Sequence, residues 1–267
     1  HGGSWWAEDL LKIASKFWAI NSRLIICNSN AAAKIINAKI YKKAKLRVVY
    51  NGVQRPNLKI SIDKTKNDFK ILFVGRLEEV KGLRELASAL KILHERDVQF
   101  ICNILGDGEL RAWLSQYIED NGFHDKITLH GIVSNVDQFM ANSDVLVLPS
   151  LREPLGNVII EAAHQNLPVI ASEVDGITEI IKNYETGVLL KPRFIRSLPK
   201  LPKQVVNAHG ELAVPMAIDP NELAYELTRL KNDPLERKAY GLSSNQLLKE
   251  FTIERYTHAI REIYLNL

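Results

Sequence analysis

From residue 69 to residue 190 the chain alternates short apolar runs with amphipathic ones, and this rhythm restricts the fold more than any other feature. Apolar runs fall at 69–74, 98–105, 127–130, 144–148, 168–171 and 187–190, with helical patterns between them at 82–95, 108–121, 134–142, 156–165 and 175–181. Strands separated by helices pair in parallel, because each crossover returns the chain to the same end of the sheet, and the helices then cover both faces. The expected class is therefore α/β, with a doubly wound parallel sheet. In the common order 3-2-1-4-5-6, strands 69–74 and 144–148 are neighbours where the order reverses, and a ligand belongs outside their carboxyl ends. Chemistry is expected in the loops after 74 and after 148.

The flanks are less regular. Residues 7–20 place Leu10, Leu11, Ala14, Phe17 and Trp18 at helical spacing, followed by a strand at 23–27. Asn28-Ser29 can cap a helix running to about residue 38, and a second strand, 47–50, ends in the turn dipeptide Asn51-Gly52. Two strands and two helices are too little for a stable unit, and polar residues 54–67 with Pro56 read as a linker. Residues 191–218 interrupt the rhythm with four prolines and read as a surface excursion without a catalytic part. Helical patterns return at 219–231, 234–249 and 252–265.

Composition excludes several classes. Apolar residues make up 46% and charged residues 25%, a soluble globular balance, and no apolar run reaches the ~18–20 residues of a membrane span. Cys27 and Cys102 sit apart in apolar runs, so a reducing cytoplasm is the expected compartment. Residues 1–55 carry ten Lys or Arg against Glu8 and Asp9, although the whole chain is only +4. The cluster Lys34, Lys39, Lys42, Lys43, Lys45 and Arg47 reads either as a solvated basic face or as a peripheral contact with anionic lipid on the inner face of the cytoplasmic membrane. No stacking aromatics interleave with these lysines, so no nucleic-acid partner is expected.

The loop after strand 69–74 reads Gly75-Arg76-Leu77-Glu78-Glu79-Val80-Lys81-Gly82. Two cations beside a helix start suit a diphosphate, since the free N–H groups and helix dipole already favour an anion. The same cations also suit surface ion pairs with Glu78 or Glu79. The loop after strand 144–148 holds Glu153-Pro154-Leu155-Gly156-Asn157-Val158-Ile159-Ile160-Glu161. Gly156 lets the backbone approach a ligand, Glu161 points back along an apolar helix toward its start, and Glu153 can face hydroxyls of a sugar ring. Either Glu161 accepts from two ribose hydroxyls and Glu153 from the sugar, or Glu161 is solvated and Glu153 only complements the helix dipole.

Taken together, these segments resemble the GT4 type of retaining glycosyltransferases. The resemblance is carried by Glu153-x7-Glu161 within Glu-Pro-Leu-Gly-Asn-Val-Ile-Ile-Glu-Ala and by Val74-Gly75-Arg76-Leu77 with Lys81-Gly82. Asn51-Gly52-Val53, Gly106-Asp107-Gly108 and Ser143-Asp144-Val145 extend it to the whole chain outside 191–218. It implies a two-domain GT-B fold: residues 1–53 as the remnant of an N-terminal, acceptor-side domain, 54–67 as linker, and 68–250 as a complete nucleotide-sugar-binding domain. Residues 251–267 are then a helix crossing back to the N-terminal domain, and the front of that domain is expected to be missing.

The resemblance also implies roles. Gly75, Arg76 and Lys81 hold the donor diphosphate, joined by backbone N–H groups near Leu155, Gly156 and Asn157. Glu161 takes the ribose, Glu153 the transferred sugar, and the turn at Gly131-Ile132-Val133 lies beside the base. His1 matches a histidine near the reacting centre, so the expected catalytic set is His1, Arg76, Lys81 and Glu153. The donor is a nucleoside diphosphate sugar, with a UDP-sugar first in line, and the acceptor is a glycan or lipid-linked acceptor of the cell envelope. No Asp-x-Asp occurs, and a metal-independent reaction without cofactor is expected. A nicotinamide dehydrogenase needs Gly-x-Gly-x-x-Gly after the first strand, which the chain lacks. A non-catalytic nucleotide-sugar-binding module, or one half of a split enzyme, is the alternative.

Overall fold

A computed structural model describes Phe17 and residues 21–39, 45–53, 68–195 and 204–267. The helix expected at 7–20 lies outside the described residues apart from Phe17, as does the linker 54–67. Six parallel strands form the central sheet: β3 (Phe69–Val74), β4 (Phe100–Leu105), β5 (Ile127–Gly131), β6 (Val145–Leu148), β7 (Val169–Ser172) and β8 (Val188–Leu190). Before them, β1 (Ile25–Cys27) and β2 (Leu46–Val48) make a separate parallel pair. The order in the large sheet is β5-β4-β3-β6-β7-β8. Counted from β3, this is the 3-2-1-4-5-6 order expected from the rhythm, and β3 and β6 are neighbours at the reversal.

Alternation along β3 divides the core. Phe69, Ile71 and Phe73 face one layer with α2 (Leu83–Glu95), α3 (Arg111–Asp120) and α7 (Pro220–Asn232). Leu72 faces the other layer, with α5 (Asn157–His164) and α6 (Ile177–Ile180), and Val74 packs against that layer. Neither face of a sheet covered in this way meets water, which is why its strands read as nearly continuous apolar runs. α4 (Val136–Ala141) closes the β5–β6 crossover. Helix starts follow local chemistry. Asp219 and Asp233 each precede a proline and accept from the first-turn N–H groups of Asn221 and Glu236, opening α7 and α8 (Pro234–Gln246). Thr252 does the same for α9 (Ile253–Leu265).

The described part of the N-terminal segment is docked on the rest of the chain. Its helix α1 (Asn30–Lys39) is capped by Ser29, whose hydroxyl accepts from the Ala32 N–H at 2.9 Å, as the Asn28-Ser29 dipeptide suggested. The strand expected at 47–50 stops at Val48, and Tyr50 leaves the sheet to stack edge-on against Phe251, with ring centroids 5.3 Å apart. Val53 donates its N–H to Phe251, and a side chain at Gly52 would run into the carbonyl of Thr252. The segment thus meets the start of α9, and Arg23 donates to the Leu267 carbonyl at its far end.

Residues 191–218 differ from a plain surface excursion. β9 (Phe194–Ile195) pairs antiparallel with β12 (Met216–Ala217), and β10 (Val205–Val206) pairs with β11 (Leu212–Ala213). Val205 and Val206 are buried, Val205 belongs to the core layer of α5 and α6, and β10 packs against α1. The prolines obscured this, because two-residue strands leave almost no periodicity to read.

Candidate functional site

The carboxyl ends of β3, β4, β5 and β6 carry loops knit together by backbone. Gly75 donates to the Leu105 carbonyl at 3.0 Å and Gly106 donates to the Gly131 carbonyl at 2.7 Å. Gly106 has φ 128, and any side chain there would strike the Gly75 carbonyl. Gly82, with φ 70 and ψ 28, ends a short 3-10 turn over 79–81 and opens α2. A side chain on Gly82 would overlap the carbonyl of Pro149, so this glycine lets the loop after β3 lie directly on the loop after β6. The Leu151 N–H, donated to the Val80 carbonyl at 2.9 Å, locks the contact.

At that junction the Lys81 ammonium meets the Glu153 carboxylate at 2.5 Å, with side chains only 14% and 11% exposed. Gly156, at φ 93 and ψ 57, starts α5 next to Glu153 without any side-chain cap. The loops therefore gather Lys81, Glu153 and the open helix start at one point, flanked by buried Leu155. Asn157 is exposed in the first turn of α5, and its side-chain carbonyl accepts from the Asn51 amide at 2.9 Å, bringing the Asn51-Gly52 turn to the same place.

Arg76 lies on the same loop as Lys81, but its guanidinium is 69% exposed and paired with Glu78 at 2.6 Å. It is thus displayed at the mouth, in the ion pair that was its alternative reading, and no contact sets it against Lys81. Glu79 is taken by Arg84, which grips both its oxygens. Glu161 is half-buried on α5 and takes no hydrogen bond from the described residues. Burial, and secondarily the nearby Asp137 charge, push its carboxyl above the usual carboxylate range. Val133 packs into the core layer of α5, following the exposed Ile132. His1 lies outside the described residues.

Two residues that sequence reasoning passed over organise the surroundings. Asp175, 1% exposed and at φ 46, accepts from the Glu153 N–H at 3.1 Å with one oxygen and from the Val206 N–H at 2.6 Å with the other. Glu179 reaches across to the N-terminal segment: its carboxylate accepts from the N–H groups of Asn30 and Ala31, the Asn30 amide and the Tyr50 hydroxyl, all at 2.8–2.9 Å. The signal for Asp175 was an acid directly before Gly176 in the turn after β7; for Glu179 nothing local marked its partners.

A family model described as Glycosyl transferases group 1 matches residues 54–213. Among curated proteins, the chain is 27% identical over 251 residues to the uncharacterized glycosyltransferase MJ1178 of Methanocaldococcus jannaschii, covering 93% of this chain and 61% of that protein. It is 32% identical over 164 residues to MJ1607 of the same organism, covering 56% and 42%. The lipopolysaccharide core biosynthesis glycosyltransferase LpsE of Rhizobium meliloti is 29% identical over 175 residues, covering 64% and 50%. The chain therefore spans 42% to 61% of the lengths of these relatives. Among solved structures, Anabaena Alr3699/HepE in complex with UDP-glucose aligns with a TM-score of 0.77 at 21% identity, over 98% of this chain and 68% of that one. Sucrose-phosphate synthase from Thermosynechococcus elongatus aligns at 0.77 and 20%, over 99% and 64%. At these identities the structural likeness is one of fold.

Proposed function

The chain belongs to the glycosyl transferases group 1 family and carries the α/β fold of GT-B glycosyltransferases, and from that premise we propose that it holds the donor site of a retaining, GT4-type enzyme. The donor in this reading is a nucleoside diphosphate sugar, a UDP-sugar first, since HepE of the same fold is found in complex with UDP-glucose. The observation that carries the proposal is the buried Lys81–Glu153 pair, set beside an uncapped helix start where β3 and β6 part. Such a pair costs desolvation that its mutual attraction only partly returns, so a site that keeps one has a use for the charges.

Cleavage of the sugar–diphosphate bond leaves positive charge at the anomeric carbon and negative charge on the departing phosphates. Fixed donors aimed at the growing anion act strongly where water is excluded. Lys81 is placed to supply one such charge, with the N–H groups at Gly156 and Asn157 beside it, and Gly75 keeps the loop backbone close. Arg76 exchanges Glu78 for a phosphate, and Glu153, released in part from Lys81, accepts from sugar hydroxyls. Glu161, half-buried and without a hydrogen bond among the described residues, accepts from the ribose, and Val133 borders the base. In a retaining course the leaving phosphate takes the acceptor proton on the same face. No metal or cofactor enters this scheme.

In this reading residues 1–53 belong to the acceptor-side domain, 54–67 link it to the donor domain at 68–250, and 251–267 return to it. His1 and the acceptor then fall to the acceptor side, together with stretches of the relatives that this chain does not span. The acceptor is proposed as a cell-envelope glycan or lipid-linked glycan, in line with the name of LpsE, and the reaction as cytoplasmic. Among the described residues no helix is long and apolar enough to cross a membrane, so contact with lipid would fall to the basic cluster from Lys34 to Arg47.

The test is a thermal-shift screen of the protein with UDP-, GDP- and ADP-sugars. One class is expected to raise the melting temperature, and Arg76→Ala is expected to weaken nucleoside diphosphate binding at least tenfold more than nucleoside binding, the loss of a charge-assisted phosphate contact. Equal losses on both ligands would remove Arg76 from the phosphates, and no shift with any sugar nucleotide would remove the donor site.

A further inference from the structure

Resting on the donor-site reading, we propose that Asp175 is a positioning residue for donor-sugar recognition, fixing the main chain of Glu153 against strand β10 of the 191–218 excursion. The backbone of Glu153 is held in both directions by one dipeptide: its N–H donates to an Asp175 carboxylate oxygen, and its carbonyl accepts from the Gly176 N–H at 3.1 Å. Gly176 must be glycine, because a side chain there would enter the carbonyl of Pro154. On the other side Asp175 binds Val206 twice, donating its own N–H to the Val206 carbonyl at 2.8 Å and accepting the Val206 N–H on its second oxygen. Val174 extends the contact by bridging to Asn207.

Three features make this more than packing. An aspartate at φ 46 occupies backbone space that costs a side chain free energy and that glycine would occupy freely. Its carboxylate is fully buried, a placement kept only where both oxygens are used. Both oxygens are used on main-chain N–H groups, one in the loop that presents Glu153 to Lys81 and one in the excursion. Deleting the carboxylate would remove the Glu153 N–H anchor while leaving its carbonyl on the Gly176 N–H, and Asp175 itself makes no hydrogen bond to Lys81, Arg76 or α5. The excursion thereby becomes the outer anchor of the sugar-facing loop.

The device is sensitive to protons. Burial pushes the Asp175 carboxyl up to about 6, against the opposing pull of the Val206 and Glu153 N–H groups and of Arg152, with the Glu153 charge adding to the rise. Two other acids share this segment, Glu173 in the turn before Val174 and Glu179, which is engaged by α1; Glu153 is itself paired with Lys81. A protonated Asp175 has one oxygen that no longer accepts an N–H, so the loop loosens as pH falls through about 6.

The experiment compares the protein with Asp175→Asn, which tolerates positive φ but turns one acceptor into a donor. Calorimetry at pH 7.5 with UDP-glucose and with UDP is expected to show a roughly tenfold loss on the sugar nucleotide and under threefold on UDP, as one charge-assisted bond to the loop is given up. Between pH 7 and 5 the wild-type advantage on UDP-glucose, whose phosphates carry no proton titrating in that range, is expected to vanish. Equal losses on both ligands, or an advantage independent of pH, would overturn the proposal. Amide resonances of Glu153 and Val206 in the unliganded wild type are expected to titrate together with one midpoint near 6. Amides that do not move together would overturn it with no ligand and no variant involved. Should the Asn variant fail to fold, Asp175→Gly, which suits the backbone, takes the same calorimetry. A wild type that binds no UDP-, GDP- or ADP-sugar sinks the donor reading, while the amide titration still decides whether Asp175 holds Glu153.

Discussion

Replacing Glu179 by alanine isolates a four-bond polar link between the described N-terminal residues and the rest of the protein. One carboxylate there accepts four hydrogen bonds, from Asn30 N–H, Asn30 Nδ2, Ala31 N–H and the Tyr50 hydroxyl. Two of the four donors are first-turn N–H groups of α1, so Glu179 acts as a cap supplied from another element, its charge favoured by the positive end of the helix dipole. Bonds to a charged group contribute about 1.5–3 kcal/mol each when buried, which summed naively reaches ~6–12 kcal/mol. Exposure of Asn30 cuts that sum sharply, since water can replace Glu179 at its amide and N–H. What remains is a lost cap of ~1 kcal/mol and the half-buried Ala31 and Tyr50 bonds, giving about 2–3 kcal/mol in all. Urea unfolding followed by tyrosine and tryptophan fluorescence reads this as a lower midpoint. Tyr50 supplies an independent readout. Its hydroxyl is pushed up to about 12, first by burial and then by the bond to Glu179, so Glu179→Gln should lower its ionisation midpoint in an absorbance titration while burial keeps it above 10. An unchanged urea midpoint together with an unmoved Tyr50 titration would refute the capping argument.

Gly82→Ala combines an unfavourable φ of 70 with overlap on the Pro149 carbonyl, so a loss of about 3 kcal/mol or more is expected in the same unfolding assay. Glu161→Gln is expected to weaken binding of a ribonucleotide sugar roughly tenfold more than that of its 2′-deoxy counterpart, measured calorimetrically; no difference would detach Glu161 from the ribose. Because the Asp175 carboxyl lies at about 6 in the folded chain against 3.8 for a free aspartate, its contribution to stability is fully present below pH ~4 and is lost as pH rises through about 6. The stability difference between Asp175→Asn and wild type should therefore shift by about 2 kcal/mol toward the variant between pH 4 and 7, checked by paired urea melts.

The sheet was legible because its cause is local. Each of β3 to β8 is an apolar run bounded by turn residues, and the neighbour relation of β3 and β6 follows from crossover geometry rather than from any one side chain. The two loops were legible for the same reason: Gly82 and Gly156 sit where positive φ lets a helix begin against another chain segment. Partners were not. Arg76 and Lys81 have equal claims on Glu78 and Glu79 by spacing, yet Lys81 pairs with a residue 72 positions away and Arg76 with one two positions away. Which acid a lysine meets is decided by how loops pack at the sheet edge, and that information is spread over the whole crossover. The antiparallel strands of 191–218 escaped because pairs of two residues carry no period.

The same reasoning explains why Asp175 and Glu179 matter together. They stand four residues apart, at the entrance and within the single turn of α6, and face opposite partners: Asp175 takes the Glu153 loop and β10, Glu179 takes α1 and Tyr50. β10 in turn packs on α1, so these contacts close a ring through the helix, the excursion and the loop. A ring of short contacts resists relative displacement of its members more than any one bond does, because shifting α1 requires breaking both the Glu179 cap and the β10 packing. Movement of the N-terminal segment would then be felt at the Glu153 main chain through Val206 and Asp175, two hydrogen bonds away. A double substitution at Asp175 and Glu179 should accordingly lose more or less stability than the sum of the single losses, and strict additivity would show that the two carboxylates work independently.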